Sequence, residues 1–170
     1  MRYHMLSKLA IISIVLISMG AAAEEVPLRL EAVTVAFPMA WNIRKEKANI
    51  AVANLSSTED ALPVLTVEVL QRTVPDRVPI CEKKRVHESF FYFAKQEPDH
   101  FKFSEKIRSD GQVQYSVVGS FDSQDQPAQH ILAHVLCSSR GIVFLSVIYT
   151  QDERSARSAL DRATRSVQWD

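Results

Sequence analysis

The chain has 170 residues, with 20 Lys and Arg against 20 Asp and Glu, and 46% of its residues are hydrophobic. This balance leaves no electrostatic footprint for nucleic acid or for an anionic membrane, while the length suffices for one domain with a substantial core. Beyond Gly20 the only glycines are Gly111, Gly119 and Gly141, too sparse for a phosphate-cradling loop of the GxGxxG or Walker type.

Residues 1–23 have the plan of a secretory signal peptide: Arg2, His4 and Lys8, then the apolar run Leu9–Met19, then Gly20-Ala21-Ala22-Ala23 with small residues where a signal peptidase reads. The run is roughly half of the ~20 residues that a spanning helix needs, and no cysteine follows it for lipid attachment. The expectation is an exported, periplasmic protein whose mature chain, 24–170, is one domain with no stable membrane insertion after cleavage. Losing Arg2 and Lys8 with the leader leaves that chain slightly acidic.

In the mature chain, "EAVTVAFP" alternates, with Val33, Val35 and Phe37 on one side and Thr34 on the other, and predicts a strand that stops at Pro38. "WNIRK" and "ANIAVANLSS" predict two short strands and "PVLTVEVLQRTV" a longer one. The period then changes. In "CEKKRVHESFFYFAKQEPD", Val86, Phe90, Phe93 and Ala94 fall at helical spacing before Pro98, which predicts an amphipathic helix with a phenylalanine core stripe.

Four further strands follow, "HFKFSEKIRS", "QVQYSVVGSFD", "AQHILAHVLCSS" and "IVFLSVIYT", joined by the turn sequences "SDGQ", "SQDQP" and "SRG". From Thr150, with Glu153 three residues on as a capping box, the spacing of Ala156, Leu160, Ala163 and Val167 predicts a closing helix. A mainly antiparallel sheet with two helices packed on it, an α+β sandwich, covers these apolar faces.

Cys81 and Cys137 are the only cysteines. In an oxidising compartment an isolated pair predicts a disulfide, and closing the loop between them would stabilise the fold by about 4 kcal/mol in the chain-entropy model. The alternative, a cysteine nucleophile paired with a histidine, requires a reduced thiolate.

The run "VTVAFPMAWNI", a strand ending in Phe-Pro with Trp opening the next, resembles the opening signature of PsbP-like and DcrB-like proteins. The later order of helix, antiparallel meander ending in "FLSVIYT" and terminal helix ending in "RSVQW" is similar too. The resemblance spans about Val33 to Trp169. It implies an α/β/α sandwich and a family whose members mostly bind other proteins and share no catalytic residues. The two cysteines and the short "SDG" turn depart from the family pattern, so its partner-binding loops do not carry over.

The histidines of "AQHILAHVLCSS" would share a metal on a helix, but on a strand His130 and His134 stand about 13 Å apart at ~3.3 Å per residue. The segment reads as strand, with His130, Leu132, His134 and Leu136 on one face and Ile131, Ala133, Val135 and Cys137 on the other, the histidines partly exposed. His87 and His100 read as surface residues. No GxSxG elbow or HExxH occurs, Glu59-Asp60 suits a solvated loop, and Asp152-Glu153 suits a helix start.

No catalytic, metal or cofactor residue is therefore assigned. Arg154, Arg157, Arg162 and Arg165 read as one solvated helix face that could meet an anionic partner. The function expected is non-enzymatic protein binding, as an immunity protein or an envelope adaptor. The alternative is a small-ligand-binding or hydrolytic envelope protein using the surface beside His134 and Phe90–Phe93.

Overall fold

In the computed structural model the described residues are 25–55, 62–71, 101–123 and 126–170. Their strands are β1 (Glu25–Leu30), β2 (Val33–Pro38), β3 (Asn42–Lys47), β4 (Ile50–Asn54), β5 (Val64–Gln71), β6 (Phe101–Ile107), β7 (Val113–Ser123), β8 (Gln126–Ser138), β9 (Gly141–Tyr149) and β10 (Gln168–Trp169). One helix among them, α1 (Glu153–Ser166), precedes β10. The helix expected over the "CEKKRVHESFFYFAKQEPD" segment lies outside the described residues, so the sandwich is seen here as a largely antiparallel β structure carrying a single helix.

Seven strands form one sheet in the order β3-β4-β5-β9-β8-β7-β6, and β1, β2 and β10 form a second of three strands in the order β1-β2-β10. Every pairing is antiparallel. The expected meander is present, since β6 to β9 are successive neighbours. The β6–β7 turn uses the predicted Asp110-Gly111: Gly111 takes φ +79°, which glycine adopts without steric cost, and Asp110 Oδ1 accepts from the Gln112 amide.

Alternation along the strands decides what lies on each face. On β9, Val143, Leu145, Val147 and Tyr149 turn to one side, where they meet Leu65, Val67 and Val69 of β5, Leu132 and Leu136 of β8, and Ala156, Ala159, Leu160 and Ala163 of α1. Leu30, Val33, Val35 and Phe37 of the small sheet join the same core. The opposite face carries Tyr115, Val117, Ile131, Val135 and Cys137, also buried. Strands buried on both faces lose the polar half of their alternation, which is why β8 reads as almost continuously apolar.

Three local expectations need correction. The capping residue of α1 is Asp152, whose carboxylate accepts from the Ser155 amide, and not Thr150; Glu153 is the first helical residue and bonds Arg157 one turn on. The helix stops at Ser166 because the chain is needed as strand: β10 pairs with β2, and the Asp170 amide donates to Ala32 O. Just before β10 begins, the hydroxyl of Ser166 extends the pairing, accepting from the Ala36 amide of β2 and satisfying a ladder group that would otherwise be unpaired. Strand β1, unforeseen, is the other partner of β2.

Leu145 is fully buried on a central strand between β5 and β8. Leu145→Ala is expected to destabilise the fold by about 2–5 kcal/mol, read from denaturant unfolding curves.

Candidate functional site

Helix α1 lies over β9, β8 and β5 and against β2, and among the described residues no helix lies on the same face of β7 and β6. An open trough results between one flank of α1 and these two strands. The helix flank carries Glu153, Arg157, Asp161 and Arg165, one turn apart and alternating in sign. The sheet side is set by register: Gln114 opposite Leu136, Ser116 opposite His134, Val118 opposite Leu132 and Ser120 opposite His130 on β7, with Lys102, Ser104 and Lys106 next in line on β6. Val118 is 43% exposed on this floor.

At one end the trough deepens into a cleft of about 460 Å³, lined by residues that include Lys106, Arg108, Gln114, His134, Asp161 and Arg165. Arg108 closes this end. Its guanidinium donates to Thr164 O and pairs with Asp110 at 3.2 Å. Gln114 is 2% exposed and donates through Nε2 to Ser116 Oγ.

His134 is half-buried, as the strand reading expects, and its ring is tied to the helix. Its Nδ1 lies 2.8 Å from Thr164 Oγ1, and the Thr164 hydroxyl donates back to Leu160 O, as threonine often does within a helix. With that proton committed, Nδ1–H must be the donor and Nε2 carries the lone pair. No protein group among the described residues meets Nε2. Burial pushes the imidazole pKa down to about 4; Asp161 works in the other direction, while Lys106, Arg157 and Arg108 lower it further. His134 is thus a neutral acceptor at physiological pH. His130 instead stacks at a tilt on Tyr149, with ring centroids 5.3 Å apart.

The remaining sequence candidates disperse. The two histidines do not converge, and no cluster of metal-ligating groups occurs among the described residues. The four arginines do not share one face: Arg154 and Arg162 line a separate cleft with Pro38, Trp41 and Asp152, Arg157 is tied to Glu153 at 2.6 Å, and Arg165 belongs to the His134 cleft. Cys137 is buried on the sheet face away from α1 and is not a free thiol. Cys81, His87, His100, Glu59-Asp60 and Phe90–Phe93 lie outside the described residues. Lys106, Arg108, Gln114, Asp161 and Thr164 escaped the sequence reading. The signal available was the polar series Gln114, Ser116 and Ser120, at strand spacing on the face where β9 is apolar.

The fold is PsbP-like. Cyanobacterial PsbP (CyanoP) from Synechocystis sp. PCC 6803 superposes with a TM-score of 0.61 at 16% identity, over 90% of this chain and 96% of that one. A protein from Bacteroides thetaiotaomicron VPI-5482 superposes with a TM-score of 0.59 at 7% identity, over 87% of this chain, which spans about half (48%) of that longer one. The sequence matches no family model and no curated protein. No helix among the described residues is long and apolar enough to cross a membrane.

Because folding lowers the His134 pKa, the native state binds fewer protons than the unfolded chain, so the contribution of His134 is full above about pH 6.5 and is lost as the pH falls towards 4. Across that window the wild type is expected to lose on the order of 2 kcal/mol more unfolding free energy than His134→Gln, measured by denaturant titration at each pH.

Proposed function

We propose that this chain is an exported, non-enzymatic binding domain of the bacterial envelope that recognises a protein partner along the trough between α1 and β6–β7. The observation that carries this reading is a floor that no described helix covers: Val118, exposed in mid-strand, stands among Ser104, Ser116, Ser120 and Lys102, beside a helix flank of alternating charge. A rim of charges around a modest apolar floor is the make-up of a transient protein interface. The signal-peptide pattern of residues 1–23 supports export, and the PsbP-like resemblance, through a family that mostly binds proteins, supports recognition over catalysis. A general-base histidine would need a nucleophile hydrogen-bonded to it, and among the described residues none is bonded to Nε2 of His134. A specific form of the reading is an antagonist of an incoming toxin, as immunity proteins are; an envelope adaptor is the other form.

Val118→Glu should abolish co-purification of a partner from periplasmic extracts that the wild-type chain retains, with the thermal midpoint unchanged. Equal recovery with both chains would overturn the trough as the recognition surface. In the same preparation, N-terminal sequencing is expected to begin at Glu24.

We also propose that Cys137 pairs with Cys81, the only other cysteine of the chain. A thiol-reactive probe should label neither residue in the exported, denatured protein until reductant is added.

A further inference from the structure

The deep end of the trough carries chemistry that a protein interface does not require. Its charges are unevenly satisfied. Arg108 is spoken for by Asp110 and Thr164 O, and Asp161 has the Arg157 guanidinium within its field. Lys106 and Arg165 both line the cleft and have no ion-pair partner among the described residues. The lining sets Lys106, Arg108 and Arg165 against the single carboxylate of Asp161, so the cleft is net cationic, and a dianion between Lys106 and Arg165 gains two charge-assisted contacts.

The same cleft holds two acceptors. His134 presents Nε2 with its lone pair free, because the Thr164–Leu160 chain fixes the proton on Nδ1. Asp161, half-buried on α1, is the second. Neither suits a phosphate, and both suit hydroxyl groups. At about 460 Å³ the space exceeds what a bare phosphate fills and falls within the usual range of small-molecule sites. Cations on the rim and hydroxyl acceptors within describe one kind of ligand.

We propose that this cleft binds a small phosphorylated polyol, with Lys106 and Arg165 holding the phosphate, and His134 Nε2 and the Asp161 carboxylate accepting hydrogen bonds from its hydroxyls. A phosphate monoester carries about −1.5 to −2 charges near neutral pH, which matches the two free cations better than a monocarboxylate does. The inference is independent of the protein partner proposed for the trough: the ligand site needs only the deep end, and Val118 plays no part in it.

Calorimetric titration of the exported chain with glycerol 3-phosphate and glucose 6-phosphate tests it, with glycerol, glucose and inorganic phosphate as controls. Saturable binding is expected for at least one ester, about tenfold or more tighter than for inorganic phosphate, and none for the neutral polyols. Lys106→Gln with Arg165→Gln should weaken the ester at least tenfold, while Arg154→Gln with Arg162→Gln in the other cleft leaves it unchanged. Lys106, Arg165 and Arg154 are exposed and Arg162 is half-buried, and equal thermal midpoints verify that both double variants fold. His134→Phe should erase the advantage of the ester over inorganic phosphate without changing the affinity for phosphate itself. Absence of saturable ester binding, equal affinity for ester and phosphate, or indifference to the Lys106 and Arg165 substitutions would overturn the proposal.

Discussion

The contact on which this molecule depends is the dry seam between α1 and the middle of the long sheet. Ala156, Ala159, Leu160 and Ala163 meet Leu65, Val67, Leu132, Leu145 and Val147 with no exposed surface of consequence on either side. Burial of this kind is the main favourable term in folding, and it requires strands whose helix-facing residues are all apolar. β5, β9 and most of β8 meet that condition. β7 and β6 do not, since Gln114, Ser116, Ser120, Lys102, Ser104 and Lys106 occupy the same face. The helix therefore covers the apolar strands and stops, and the trough is what the sequence leaves beyond the edge of the core.

His134 sits on that boundary. Leu132 and Leu136, two residues away on either side, are inside the seam, and Ser116, its cross-strand neighbour, is outside it. An imidazole placed there is half in a dry core and half in a polar channel, which explains both its reluctance to take a proton and its bond to Thr164, the most deeply buried polar residue of the helix. Thr164 in turn is tied to the β6–β7 turn through Arg108, so the histidine, the helix end and the turn that closes the cleft are held as one unit.

Most strands were legible in the sequence because their alternation survives in one dimension: Val33, Val35 and Phe37 of β2 need no knowledge of their partners to be assigned to one side. The meander from β6 to β9 was legible for the same reason, aided by Asp110-Gly111. What stayed hidden depended on contacts distant in sequence. β1 and β10 are short strands defined by β2, and Val167 fits a helical period until pairing with β2 claims the residues after it. The position of His134 was equally hidden, since the two strand faces can be told apart by pattern, but which of them meets a helix cannot. The arginines of α1 looked like one face because they are close in sequence, whereas their distribution between two clefts follows from where the helix rests.

The alanines of α1 have a further effect. Small side chains bring the helix close to the sheet and leave little room for a larger residue at Ala156, Ala159 or Ala163, so the buried stripe tolerates little variation. The flank bearing Glu153, Arg157, Asp161 and Arg165 makes no demand on that fit. The chemistry that this flank displays is therefore set separately from the backbone that holds it, because a change of charge there leaves the seam intact.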